Sequence, residues 1–212
     1  MAIVSVAVTD PIQDTVVRLF AQVTEALASG TWALLSGDIE LGTAVVDADA
    51  AFDRAVTALE DELWAQVDAL VATPQPIRRL VALLLILPEL ERSADLAEHI
   101  AQRAVNNLGA SMSPTSRGIV QQMSDVALQM WSVAANSFTE GISRAEELAL
   151  ADDEIDALRD RLIEESKRDS MANETASQVA MLARFYERLG DHAVNLGRRI
   201  ASIPSLRLSF ED

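Results

Sequence analysis

Carboxylates recur in pairs, four residues apart, in segments that are otherwise largely apolar. Glu91 and Asp95 form one pair, and Glu187 and Asp191 form a second pair 96 positions later. On a helix, residues at i and i+4 lie on one face, about 6 Å apart. Oxygen-rich groups of this kind are the ligands that hard cations such as Mg²⁺, Mn²⁺ or ferric iron prefer. The spacing therefore predicts metal-binding helix faces.

A second type of pair extends each copy of this repeat. Asp49 and Asp53 correspond to Asp152 and Asp156 at a shift of 103 positions, so the two shifts differ by seven (103 minus 96). One shorter connection in the second copy would produce that difference. We expect the middle helix of each half to carry an Asp pair and its last helix a Glu-Asp pair. The candidate metal ligands are Asp49, Asp53, Glu91, Asp95, Asp152, Asp156, Glu187 and Asp191.

Other interpretations of the charged rows stay open. A single row of carboxylates on a helix is more often a solvated face than a site, and Arg92 and Arg188 are available as ion-pair partners. His99 extends the first row by one turn, either as a ligand or as a surface histidine without a metal role. His192 is rotated off the second row by about 100°. We expect it to make a hydrogen bond within the bundle.

Composition indicates an all-α protein that does not bind nucleic acid. Of 212 residues, 50% are hydrophobic and 4% aromatic, with only 8 glycines and 6 prolines. Ala and Leu, which dominate, favour helices. The net charge of −16 argues against phosphate-backbone binding. The absence of cysteine excludes disulfides and thiolate metal sites.

Two further patterns favour a soluble, cytoplasmic protein. The longest strongly apolar run is Leu80–Leu87, whereas a helix that crosses a bilayer needs about 20 such residues. Residues 1–10 have neither the basic region nor the cleavage signature of a signal peptide. We therefore expect no direct membrane insertion.

Helix punctuation predicts six long helices in two tandem three-helix bundles. Asp10-Pro11 and Ser113-Pro114 are typical of an N-cap followed by a first-turn proline. Asn106–Gly109 is predicted to end the third helix with a glycine cap. The bundles are predicted over residues 1–110 and 111–212, as one continuous body. We expect the three tryptophans to pack in the cores or between the bundles, at Trp32, Trp64 and Trp131.

These motifs resemble the PhoU family of phosphate-uptake regulators. The segments Glu91-Arg-Ser-Ala-Asp95 and Glu187-Arg-Leu-Gly-Asp191 are similar to the family's repeated Glu(or Asp)-x3-Asp signature. The stretch Ala183–Asn195, with its Asp-His pair, is similar to the family's second copy. The resemblance covers essentially the whole chain and implies the same pair of three-helix bundles.

The resemblance also implies a function. Family members are non-catalytic, cytoplasmic regulators that act between the phosphate ABC transporter, through its ATP-binding subunit, and a sensor histidine kinase. It implies a homodimer, and metal ions (iron, zinc, manganese or magnesium) held by the eight carboxylates. The first copy departs from the family pattern at Arg78-Arg79-Leu80, at Pro88 and at Ala94, where a glycine is usual. Pro88 is expected to kink the third helix, so we expect Glu187 and Asp191 to belong to the better site.

Two alternatives of other classes remain. A metal-dependent phosphohydrolase would need an open coordination position and a general base. The sequence shows no P-loop, no dinucleotide-binding glycine motif and no nucleophile elbow, so catalysis is not supported. A metal-free helical scaffold would leave the acidic rows facing bulk water.

Overall fold

The computed structural model describes residues 10–69, 74–168 and 172–202, and six long α-helices account for most of them. They are α1 (Pro11–Ser36), α2 (Ile39–Ala69), α3 (Pro74–Val105), α4 (Pro114–Glu140), α5 (Ala145–Arg168) and α6 (Asn173–Ala201). A 3-10 helix, Leu108–Ser111, links α3 to α4. The prediction of two tandem three-helix bundles, α1–α3 and α4–α6, is confirmed. The proposed boundary between residues 110 and 111 falls within the linking segment.

The predicted helix starts are present as capped first turns. The Asp10 side chain accepts a hydrogen bond from the Ile12 amide at 3.0 Å, and Ser113 accepts one from the Ser116 amide at 3.1 Å. Each cap satisfies an amide that has no partner within the helix, and proline follows directly. Gly37 and Gly141 end α1 and α4 with φ of 76° and 66°, a conformation that glycine adopts without a steric penalty. The segment before residue 10 lies outside the described residues.

The predicted glycine cap of α3 is wrong in its detail. Helix α3 ends at Val105, and the residue with left-handed backbone is Asn107, at φ 57°. Gly109 lies in the 3-10 helix against α1, where a Cβ would collide with the carbonyl oxygen of Leu34. Close backbone approach, and not helix capping, therefore explains the glycine.

One apolar core runs through both bundles, and it contains one of the three tryptophans. Trp131 is fully buried, and its ring centroid lies 6.1 Å from that of Phe20 on α1. Trp32 and Trp64 are 65% and 51% exposed, so the prediction that they pack in a core or between the bundles is wrong. Trp32 is exposed because the residue before it, Thr31, lies on the buried face of α1. Successive residues of a helix are rotated by about 100°, which turns Trp32 away from that face.

The bundles meet where α1 packs on α4 and α3 packs on α6. Buried polar groups cross this interface. The hydroxyls of Thr31 and Tyr186 lie 2.7 Å apart, and Ser124 donates to Thr31 at 3.2 Å. Glu89 on α3, which is 6% exposed, lies 2.7 Å from Nδ1 of His192 on α6. Unpaired polar groups are costly to bury, so these contacts fix how the two bundles pack together.

Pro88 lies within α3, and the helix continues through it from Pro74 to Val105. None of the helices within the described ranges is both long enough and apolar enough to span a bilayer. Helices α2 and α5, which carry the aspartate pairs, pack on the other two helices of their own bundles.

Candidate metal centre

Three of the predicted ligands converge in the first bundle. Asp49 and Asp53 lie one turn apart on α2, and Asp95 lies on α3, which packs beside α2. One carboxylate oxygen from each lies within 4.8 Å of the others. Across the described residues, this is the one group of three or more acidic or imidazole side chains with such geometry. Glu91 lies one turn before Asp95 on α3.

The electrostatics of this cluster disfavour its full ionisation. The pKa of Asp49 is raised to about 6, chiefly by burial and then by the charges of Asp53, Asp95 and Glu98, against the opposing effect of His99. Burial likewise raises the pKa of Glu91, and the charges of Asp53 and Asp95 add to the effect. Like charges a few ångströms apart and partly removed from water repel one another. A cation would relieve this repulsion.

The donor set of the first cluster fits a hard metal ion. Oδ1 of Asp53 is buried and has no hydrogen-bond partner. No arginine or lysine of the described ranges lies within ion-pair distance of Asp49, Asp53 or Asp95. Carboxylate oxygens without a protein cation are the ligands that Mg²⁺ and Mn²⁺ prefer. The residues therefore form an acidic cluster that could hold a metal ion.

A cleft opens beside the cluster, between α1, α2 and α3. Its volume is about 320 Å³, and its polar lining includes Asp49, Glu98 and Glu25. Ala94, which stands where the family pattern has a glycine, contributes to the same wall. Solvent therefore reaches the cluster from the side of Asp49.

The four predicted ligands of the second bundle are arranged differently. The guanidinium of Arg159 on α5 pairs with Asp156 at 3.0 Å and also contacts Glu187 on α6. Burial opposes the charge on Arg159, but the hydrogen bond to Asp160 and the charges of Glu187 and Asp156 outweigh it and raise its pKa. An arginine thus stands between the carboxylates of the two facing helices.

The other two predicted ligands of the second bundle, Asp152 and Asp191, lie one helical turn from Asp156 and Glu187 respectively. The pKa of Asp152 is raised to about 6, chiefly by burial and then by the charges of Asp191, Asp156 and Asp153. A Cβ at Gly190 would lie 2.5 Å from Oδ1 of Asp152, so a larger residue there would force the carboxylate to move. The glycine of the second motif therefore makes room for an aspartate.

Neither histidine belongs to the acidic cluster. His99 is half exposed, lies 3.7 Å from Glu98, and stacks on Phe185 with 5.3 Å between ring centroids. His192 makes a hydrogen bond as predicted, but its partner Glu89 belongs to the other bundle and not to its own. Its role is to join the bundles.

The geometry favours the first bundle as a metal site, whereas the sequence predicts the second to be the better one. Asp95 meets the α2 aspartates although Pro88 precedes it in α3, whereas Glu187 pairs with an arginine. The sequence reasoning missed Arg159 and Glu89. Extending the repeat by one turn beyond Asp156 would have found the arginine, because the shift of 103 pairs it with Val56. Nothing in the sequence marks Glu89 as buried.

Comparison with known proteins identifies the family. The PhoU domain matches the chain twice, over residues 16–104 and 120–200. The chain belongs to the PhoU family. The two matches contain the two halves of the repeat.

Curated relatives from several bacteria carry the same family name. A phosphate-specific transport system accessory protein PhoU homolog of Caulobacter vibrioides is 29% identical over 189 residues, which cover 85% of this chain and 79% of the relative. PhoU homolog 1 of Mycobacterium tuberculosis is 27% identical over 197 residues, or 88% of this chain and 86% of the relative.

Solved structures have the same fold. The crystal structure of PhoU from Pseudomonas aeruginosa superimposes with a TM-score of 0.84 at 19% identity, covering 91% of this chain and 94% of the other. PhoU from Streptococcus pneumoniae gives 0.77 at 20% identity, covering 91% and 92%. At this identity the likeness establishes the architecture alone.

The pKa of Asp49 leads to a prediction about stability. Its folded-state pKa, about 6, exceeds its ordinary value of 3.8, so the folded protein binds the proton more tightly than the unfolded chain does. Stability should therefore fall as pH rises through this window. In chelator at pH 7, Asp49→Asn is expected to raise the free energy of unfolding by about 1 kcal/mol after allowance for solvent screening, or roughly 2–4 °C in melting temperature.

Thermal unfolding at pH 7 and pH 5 would measure this effect. The gain from Asp49→Asn should shrink at pH 5, where more of the parent carboxyl is protonated. Asp47→Asn, at an exposed position on the same helix, serves as the matched control and should change little. An equal gain in stability at both pH values would show that the ionised Asp49 carboxylate is not what destabilises the parent protein.

Proposed function

We propose that the protein is a non-catalytic regulator of phosphate uptake that acts in the cytoplasm as an adaptor between a phosphate ABC transporter and a sensor histidine kinase. The observation that carries the proposal is the double PhoU-domain match over a two-bundle fold. The names of the relatives, which refer to the phosphate-specific transport system, support the transporter as a partner.

The first-bundle cluster is proposed as the metal site of this regulator. Asp49 and Asp53 would supply oxygens from α2, and Asp95 would supply one from α3, with Glu91 within reach of the same face. A bound divalent ion would contribute the positive charge that this face lacks. Because the carboxylates lie on two different helices, the packing of α2 on α3 would depend on their charge state. The surface formed by these helices is the proposed docking surface.

A homodimer is also proposed, following the family resemblance. A row of apolar side chains at i, i+4 spacing on α3 supports it, since Ile77, Val81 and Leu85 are 39%, 46% and 41% exposed. Apolar rows that a monomer leaves exposed are typical of interaction surfaces.

Phosphate uptake by cells of the source organism tests the regulatory role. Deleting the gene is expected to increase the rate of radiolabelled phosphate uptake by cells grown with abundant phosphate, and the parent gene on a plasmid should restore the lower rate. A strain carrying Asp53→Asn should behave like the deletion. Equal uptake with and without the gene would contradict the proposal.

The cleft beside the cluster favours one alternative, a metal-dependent phosphohydrolase. A cleft of about 320 Å³ is large enough for a small phosphoester. Incubation of the protein with Mn²⁺ and p-nitrophenyl phosphate decides between the two. We expect no turnover above the metal-only rate. Turnover that is lost in Asp53→Asn would show that the protein is an enzyme.

A further inference from the structure

The second bundle contains its own cation between the carboxylates of α5 and α6. Nη1 of Arg159 lies 3.0 Å from Asp156 and also contacts Glu187, while Nη2 lies 3.0 Å from Asp160. The side chain is 23% exposed. Three carboxylates thus share one guanidinium, and two of them, Asp156 and Glu187, are predicted metal ligands.

The position in the first bundle that corresponds to Arg159 carries no charge. The shift of 103 that pairs Asp53 with Asp156 pairs Val56 with Arg159. Val56 is 3% exposed and belongs to the apolar core. Oδ1 of Asp53 is buried without a partner, whereas Asp156 is paired. The residue three positions after Asp53 or Asp156 therefore distinguishes two otherwise similar carboxylate faces.

Arginine is suited to hold such a face permanently. Its guanidinium stays protonated at every physiological pH and offers five donors in a rigid planar fork. A metal ion entering this face would have to displace the guanidinium and would then lie close to its positive charge. With Asp156 and Glu187 held by Arg159, only Asp152 and Asp191 remain of the four predicted ligands. Among the described residues, only the first face brings three carboxylates together, so only that face fits a divalent ion.

We propose that Arg159 replaces a metal ion in the second bundle, so that the chain binds divalent metal through its first bundle alone. The protein would then have one face whose charge depends on metal supply and one whose charge is fixed. The second face keeps α5 and α6 together under all conditions, and the first makes the packing of α2 on α3 dependent on metal. This inference rests on the proposed metal-dependent function of the first bundle, but its test is separate.

The test compares the metal content of the parent with that of two variants. Arg159→Val introduces the residue found at the corresponding position of the first bundle, and Arg159→Gln keeps a polar side chain. Each protein is titrated with Mn²⁺ alone, and free Mn²⁺ is followed by electron paramagnetic resonance. Both variants are expected to bind about one more Mn²⁺ per chain than the parent, because the freed carboxylates form a second oxygen-rich group. Arg168→Gln, at an exposed position on the same helix, is the control and should bind as the parent does.

Thermal unfolding provides a second measurement that does not depend on counting ions. In chelator, Arg159→Gln should unfold at a lower temperature than the parent, and Mn²⁺ should restore more stability to the variant than it adds to the parent. Arg159→Lys should gain no ion, since it retains the charge.

The outcomes separate this inference from the proposed function. Equal Mn²⁺ binding by the parent and both variants would overturn the role of Arg159. Mn²⁺ bound at Asp156 or Glu187 in the parent would overturn it as well. Extra binding by the variants, together with none by the parent, would support the role of Arg159 and refute the first-bundle metal site.

Discussion

Asp53→Asn is expected to lower the affinity of the protein for Mn²⁺ by about 100-fold or more, because it removes one charged ligand from a site with few others. Asp53 is the most informative position, since its Oδ1 is buried and unpartnered in the cluster. The amide is nearly the same size as the carboxylate, so packing is preserved. Isothermal titration with Mn²⁺ after removal of bound metal measures the effect.

Stability without metal distinguishes lost ligation from misfolding. In chelator, Asp53→Asn should unfold no earlier than the parent, because it removes one of several mutually repelling charges. Asp47→Asn on the same helix should bind Mn²⁺ as the parent does, since Asp47 is exposed and outside the cluster. Unchanged Mn²⁺ affinity in Asp53→Asn would refute the first-bundle site.

Trp131→Ala is expected to cause the largest loss of stability. The indole is fully buried between the bundles and donates from Nε1 to the carbonyl of Leu189 at 3.2 Å. Replacing a buried aromatic residue by alanine costs about 3–5 kcal/mol in lost burial and cavity formation. For a chain of this size, that corresponds to a fall of roughly 6–20 °C in melting temperature.

Two matched substitutions test whether the loss of stability comes from the burial of Trp131. Trp64→Ala changes the same side chain at a position that is 51% exposed, and it should alter the free energy of unfolding by no more than about 0.5 kcal/mol. Trp131→Phe should lose less stability than Trp131→Ala, because the ring still fills most of the space. Chemical denaturation at one protein concentration compares all three. Equal losses from Trp64→Ala and Trp131→Ala would contradict the burial described above.

The sequence was sufficient to predict the architecture because local signals and the repeat agreed. The Asp10 and Ser113 caps and the duplicated acidic pairs each limit where helices begin or recur. Such signals act over a few residues and are visible in one dimension. The prediction for Trp32 and Trp64 is wrong because residue type alone does not show which face of a helix is buried.

The candidate site was predictable only in part. The pairing of residues on one helix follows from spacing, but the contacts between α2 and α3 depend on tertiary packing. The expected preference for the second bundle rested on Pro88 and on the missing glycine at Ala94. Arg159 removes the basis of that preference, because it pairs with Glu187 on the facing helix. A contact between two helices is not visible in the spacing of residues along one of them.

The arrangement of the six helices has a consequence for how a signal would spread. The bundles are joined through α1, α3, α4 and α6, whereas the aspartate pairs lie on α2 and α5 outside that interface. A peripheral helix can loosen at a small cost while the rest of the molecule stays folded. A change of charge at Asp49 and Asp53 would therefore be confined to local opening of α2. The packing of α1, α3, α4 and α6 would stay unchanged. A partner bound to those four helices could therefore distinguish a packed α2 from an opened one.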